Sequence, residues 1–474
     1  MKIKKQPYLS YQQRIVMIGF GSIGQAVLPL LFRHISIKPD QLTIVSKYDD
    51  GMPIAKAYGV QLITTALTPE NYQVILKQHL RKNDFLLNLS VNVSSIDLIK
   101  LAKQTGALYL DTCLEPWEGG YVDPAVPISL RSNYSFRLAA LSLNDAANKG
   151  PTAVITHGAN PGLVSHFVKQ ALLNLAADNK LPLKTPITQT EWAKLAAELN
   201  IKVIHIAERD TQTAHLPKKT DEFVNTWSVD GFVSEGSQPA ELGWGSHERH
   251  WPHDARHHET GNQCAIYLNR PGASTRVRTW TPLSGAFHGF LITHGEAISI
   301  ANYFSLHQGG ELSYRPTVHY AYHPCEDAIL SLHELAGNEW IQQSEQRLLF
   351  DEIVDGRDEL GVLLMGNPKG AYWFGSQLSI HEARKLAPHN NATSLQVAIS
   401  VLAGMLWAIE HPEEGIIEPD QMDFDYLLKI AMPYLGKVEG HYTDWTPLKE
   451  RERLFKEDHL DYEDPWQFIN LRVS

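Results

Sequence analysis

Gly19, Gly21 and Gly24 form a G-x-G-x-x-G pattern, after the apolar run Ile15-Val16-Met17-Ile18 and before a helix-periodic run that begins at Gln25. A strand, a glycine turn and a helix in that order suit a dinucleotide. Gly19 permits the tight turn, Gly21 lets the backbone approach a pyrophosphate, and Gly24 lets helix and strand pack closely. Ser22 and Ile23 complete the turn, where the helix N-terminus offers free N–H groups to an anion. A glycine turn without a ligand is the plainer alternative.

The acid that usually follows the second strand is displaced. Ser46 and Lys47 occupy its place, with Asp49 and Asp50 just beyond. Asp49 or Asp50 can reach ribose hydroxyls, whereas Lys47 would favour a 2′-phosphate; NAD is the expected cofactor. Ligands in such folds lie beyond the carboxyl ends of the strands. That places Asn88, Ser90, Asn92, Asp111, Glu115 and Trp117 near the nicotinamide. Asn160, before Pro161 and Gly162 at a strand-to-helix turn, can bond the carboxamide or a substrate; a plain turn-forming Asn is the alternative.

Further along, carboxylates recur beside aromatics at strand ends: Glu208; Trp227 with Asp230 and Glu235; His294 and Glu296; Asp355, Asp358 and Glu359. Charged residues commonly flank strands, so each alone reads as a solvated end. They carry chemistry only if the segments converge, which periodicity does not decide.

The elements that would position them fall into two patterns. Up to about residue 160, short apolar runs alternate with helical ones, including a helix after Ser94 or Ser95 that closes at Gly106. Such alternation predicts an α/β, Rossmann-like, doubly wound parallel sheet over residues 1–160. Residues 161–385 are rich in strand-like pieces and turns, which predicts a second α+β domain with a mixed sheet. Residues 386–474 form a C-terminal helical segment that packs back on the first domain or on a partner subunit.

The chain has 474 residues, more than one ordinary core holds. Its net charge of −11 argues against nucleic acid and suits a cationic ligand. Cys113, Cys264 and Cys325 form no CxxC, so no disulfide framework or zinc ribbon is expected. The basic N-terminus lacks an apolar secretory segment, and no apolar run reads as a membrane span. A cytoplasmic setting follows as the expectation.

GFGSIGQ, DTCLEPW, HGANPGLVSHF, HIAERDTQ, VNTWSVDGF and THGEAISIANYF, in that order, resemble bacterial-type homospermidine synthases from about Gln13 to Glu410. The resemblance implies a saccharopine-reductase-like architecture and a homodimer. It also implies an NAD-dependent reaction that joins two putrescines and releases ammonia, with spermidine as a further polyamine. It matches Asn160, Glu208, Trp227, Glu235, His294 and Asp358 to catalytic positions, with Asp355 as the alternative to Asp358. Glu115 and Glu296 lie beside them as substrate ligands, as does Asn92, which stands where some relatives carry Asp.

The residue types suit a diamine. Ammonium groups in a dry site need carboxylate partners. Hydride leaves the carbon beside nitrogen only when that nitrogen is neutral, so a base, Glu208 or His294, must take a proton. An indole such as that of Trp227 stabilises the resulting iminium. The rivals are a saccharopine- or carboxynorspermidine-type reductase, with Arg276 and Arg278 as carboxylate ligands, and a non-catalytic NAD-binding regulator. His250, His253 and His257, within the His-rich stretch 247–258, have zinc-like spacing but no partner motif. That stretch reads as a solvated loop or a cover for the entrance, and no metal is expected. Lys369 reads as a turn lysine.

Overall fold

The computed structural model describes residues 7–145, 147, 149–181, 184–457 and 459–473. Residues 1–6, where the basic N-terminus begins, lie outside the described residues. The first domain is a seven-stranded parallel sheet. Across it run Gln61–Thr64, Leu42–Ser46, Ile15–Ile18, Phe85–Asn88, Leu108–Asp111, Ala153–Val154 and Ile416–Ile417. The order reverses between Ile15–Ile18 and Phe85–Asn88, the switch point where such sheets bind ligands.

The strands are apolar throughout because both faces are covered. Ile15 and Met17 join one core cluster, while Val16 and Ile18 join another. The helix Ser95–Thr105 is capped by Ser94 Oγ, which accepts the Asp97 N–H, and ends at Gly106 with φ +75°.

The second domain is built on a ten-stranded mixed sheet. At its centre Val203–Asp210 pairs in parallel with Thr317–His323 and antiparallel with Arg357–Asn367. Gly370–Ser379 follows Arg357–Asn367, and Pro239–Gly243 and Gly285–Phe290 pair with the other flank of Thr317–His323.

The segment 386–474 is divided between the two domains. The helix Ala392–Glu410 packs on Ser22–His34 beside the first sheet. It is long and apolar enough to span a membrane, yet 89% of that stretch is buried inside the fold. Ile416–Ile417 edges the first sheet, whereas Lys437–Thr443 joins the second. Phe468 packs on Trp244 and His319 of the second domain.

Candidate active site

The glycine turn has the shape a dinucleotide requires. Gly19 has φ +86°, and a Cβ there would lie 2.6 Å from the Leu89 carbonyl oxygen. A Cβ on Gly24 would stand 2.6 Å from the Gly19 oxygen, so strand and helix touch through it. Gly21 differs: a Cβ there would meet nothing within 4 Å. The helix Ser22–His34 begins at Gly21 with no side-chain cap and no acid in its first turn. Uncapped N–H groups above an open glycine suit a pyrophosphate. Beyond the second strand, Asp49 and Asp50 are exposed, and the Lys47 ammonium lies 5.4 Å from the Tyr48 ring.

Asp111 lies elsewhere than its strand-end position implied. It is fully buried; Oδ1 accepts the Thr156 N–H at 2.7 Å and Oδ2 accepts the Tyr109 hydroxyl at 2.7 Å. Its carboxyl therefore fastens the next loop to the sheet and turns no oxygen to a ligand. Asn88 also turns inward, accepting the Ser90 hydroxyl at 2.6 Å, and Trp117 donates to Asp97 at 2.8 Å.

The acids of the second domain converge with Asn160 and Glu115 from the first. Asn160 Nδ2 donates to Glu208 Oε2 at 3.0 Å, and the Tyr320 hydroxyl donates to the same oxygen at 2.5 Å. The Tyr320 ring lies 4.4 Å from the His294 imidazole and 5.1 Å from the Tyr322 ring, which it parallels within 11°. Tyr322 in turn accepts the Trp227 indole N–H at 3.3 Å. His294 Nε2 meets Glu235 at 2.8 Å and Nδ1 meets Glu296 at 3.2 Å. Asp358 accepts the Thr393 hydroxyl at 2.6 Å and lies close enough to Glu208 and Asp210 for the three carboxyls to repel one another. Asn92, with φ +64°, gives its backbone N–H to Glu115 at 3.3 Å. Glu115, Glu235 and His294 line one cavity with Cys113, Thr156 and Pro161.

Burial sets the electrostatics. It pushes Glu208 and Glu115 up to about 7 and Asp210 up to about 6, and Asp358 is driven well above the usual carboxylate range. Asp358 also faces Glu208 and Asp210, and carboxyls this close titrate together rather than singly. For His294 burial works to lower the pKa, but Glu235 and Glu296 outweigh it and hold the imidazole well above its usual value. A ring with both nitrogens donating to carboxylates is a cation.

Other candidates are elsewhere. Asp355 is exposed, 3.6 Å from His381. Glu359 faces the opposite side of the sheet and accepts from Thr281, Leu283 and Ser284. Arg276 bonds His333, Arg278 approaches Glu457 at 3.6 Å, and Lys369 donates to the Asp178 carbonyl. The His-rich stretch is tied by Arg249 and His250 to Asp461, while His258 stacks on Tyr134.

Sequence reasoning passed over Tyr320, Tyr322 and Asp210. The alternation H-Y-A-Y-H was the available signal, since it puts both tyrosines on one face.

Comparison with known proteins agrees with this architecture. Residues 15–154 match the family described as saccharopine dehydrogenase NADP binding domain, and residues 158–444 match saccharopine dehydrogenase C-terminal domain. The chain is 54% identical over 464 residues to a homospermidine synthase of Blastochloris viridis, covering 97% of each chain. It is 50% identical over 466 residues to one of Mesorhizobium japonicum, covering 97% of this chain and 96% of that one. The crystal structure of a homospermidine synthase from Legionella pneumophila in complex with NAD superposes with TM-score 0.92 at 55% identity, covering 99% of both chains.

Proposed function

We propose NAD-dependent conversion of two putrescines into homospermidine and ammonia for this chain, which belongs to the homospermidine synthase family. One observation carries the reading. A largely buried set of carboxylates (Glu115, Glu208, Asp210, Glu235, Glu296, Asp358) gathers here against little positive charge: His294 is held between Glu235 and Glu296, and Arg137 is already paired with Glu418. Such a site lacks positive charge, and a diamine supplies it at both ends.

NAD, when bound at the glycine turn, supplies the chemistry of taking a hydride and giving it back. The chain's residues do the rest. Glu208 is the base: held near 7, it takes the ammonium proton at working pH, with Asn160 and Tyr320 fixing its direction. His294 is excluded from that task because both its nitrogens already donate; it holds Glu235 and Glu296 in place. Trp227 commits its N–H to Tyr322, which leaves a ring face for the substrate iminium, worth about 2 kcal/mol when water is excluded. The second putrescine's free amine attacks that carbon, ammonia leaves, and the new imine is reduced. Glu115 and Glu235 are placed to hold ammonium ends.

The reductase reading is less well supported. Its substrates carry carboxylates, yet the one arginine lining the cavity, Arg137, is bound by both oxygens of Glu418 at 2.6 Å. The expected result with putrescine and substoichiometric NAD is homospermidine and ammonia in excess of cofactor. Cofactor oxidation matched to product would favour the reductase, and cofactor binding without amine turnover would favour the regulator. Trp227→Phe should keep much of the activity, and Trp227→Ala should lose about 30-fold. We further place the enzyme in the cytoplasm, in keeping with its three free cysteines, and as a homodimer, which sedimentation would test.

A further inference from the structure

Two tyrosines stand between the groups assigned roles above. Tyr320 and Tyr322 lie two residues apart on Thr317–His323 and share a face of the sheet. The parallel pairing sets Tyr322 directly opposite Glu208. Tyr320 touches two of the working groups at once: its hydroxyl bonds Glu208 and its ring lies on His294. Tyr322 holds the third, the Trp227 indole, and stacks on Tyr320. Both rings are buried.

We propose that Tyr320 and Tyr322 are a pair of positioning residues: Tyr320 holds Glu208 as the proton acceptor at a fixed place beside His294, and Tyr322 fixes the plane of the Trp227 indole over the same substrate carbon. The inference rests on the reaction proposed above for the roles of Glu208 and Trp227. Its physical basis is the phenol's one-way hydrogen bond. A buried, neutral tyrosine can only donate to a carboxylate, and so favours the ionised form. Burial keeps the Tyr320 hydroxyl protonated throughout the working range.

The groups facing Glu208 divide in their effect. Asp210, on its own strand, opposes ionisation, and Asp358 on Arg357–Asn367 is a second buried carboxyl beside it. His294, at the head of Gly295–Tyr303, favours ionisation, as do the Tyr320 hydroxyl and the Asn160 amide. Tyr322 faces Glu208 as a neutral phenol. Deleting the Tyr320 hydroxyl therefore removes one of the few contacts that keep the base charged, and leaves the ring on His294 in place.

The test compares Tyr320→Phe with Tyr322→Phe on the full chain. The Glu208 carboxyl is titrated by infrared difference against Glu208→Gln, which needs no turnover, and kcat/KM for putrescine is followed against pH. Tyr320→Phe is expected to raise both the titration and the acid limb by about one pH unit, with activity largely recovered on the alkaline side. Tyr322→Phe should leave the titration in place and lower kcat several-fold at unchanged KM. Should Tyr320→Phe fold poorly, 3-fluorotyrosine at 320, a stronger donor of nearly the same size, should move the titration downward. A Glu208 titration within about 0.2 of a unit of the parent in either Tyr320 variant would overturn the assignment. So would full kcat in Tyr322→Phe. An infrared shift in a chain that makes no homospermidine would leave the Tyr320 contact standing and remove the reaction.

Discussion

The two faces of the second sheet carry similar side chains under different conditions. On one face, Val203–Asp210, Thr317–His323 and Arg357–Asn367 present Glu208, Tyr320, Tyr322 and Asp358; the alternate residues His205, His319 and Glu359 lie on the other. Glu359 is buried among neutral donors: Thr281 at 2.8 Å, Leu283 N–H at 3.0 Å, Ser284 at 3.3 Å and Gln377 at 3.4 Å. Glu208 has two donors and faces two more carboxyls. The histidines differ in the same way. Burial pushes His205 well below its usual value and His319 to about 4, so both are neutral. His294, equally enclosed, is a cation because two carboxylates flank it. Burial is common to both faces; the supply of counter-charge separates them, and only one face is left short of cations.

The widest separation between the faces should come from their glutamates. Glu208→Gln removes the base and is expected to lower kcat about 10³-fold with little change in stability. Glu359→Gln should keep kcat and cost about 1–3 kcal/mol, because an amide cannot accept all four of those bonds. Initial rates and urea unfolding read the two quantities, and equal losses of kcat would erase the distinction between the faces.

What the sequence made legible follows the range of the interactions. The glycine turn and the helix ended by Gly106 rest on local geometry, and both stand where spacing put them. Residue type made the acids visible, but their convergence depends on strand order. Nothing near Glu208 in the chain announces that Thr317–His323 will pair beside it, so Tyr320 and Tyr322 drew no notice. Asp111 misled because a strand end normally faces the ligand; here the loop after the neighbouring strand Ala153–Val154 folds over it and Thr156 takes the carboxylate. The two-residue edge strand Ile416–Ile417 is too short to carry a pattern, and it is placed by its pairing with Ala153–Val154.

The histidines should differ next most. His294→Asn leaves Glu235 and Glu296 without their cation and is expected to cost about 3 kcal/mol. The sign with pH follows from its raised pKa. The stability His294 adds is full below its unfolded value near 6.5 and fades only as pH climbs through its higher folded value. His319→Leu removes a ring whose Nε2 has no partner, and should change stability by about 1 kcal/mol or less at neutral pH. Because His319 is depressed to about 4, its burial penalises the fold as pH falls below about 6.5, so the leucine variant should tolerate acid better. Urea unfolding on both sides of neutrality distinguishes the pair.

The smallest effect concerns the shortage of cations itself. Glu115 and Glu208 are raised to about 7, so the folded chain holds protons there that the unfolded chain has released. Their contribution is full below the unfolded value near 4.5 and is lost as pH rises through about 7. The ligand-free protein should therefore weaken on going from mildly acid to mildly alkaline buffer. Putrescine supplies the missing charge and binds the ionised acids better, so its affinity should strengthen across the same interval. A tenfold gain is about 1.4 kcal/mol, which for a chain of this size raises the melting temperature by about 2 °C more at the alkaline end than at the acid end. 1,4-Butanediol, of the same length and without charge, should give no such shift. Back-face acids, already matched with neutral donors, have no use for the diamine, so Glu359→Gln should leave the putrescine increment unchanged. An increment that shrinks as pH rises would mean that the raised carboxyls are not those the diamine reaches.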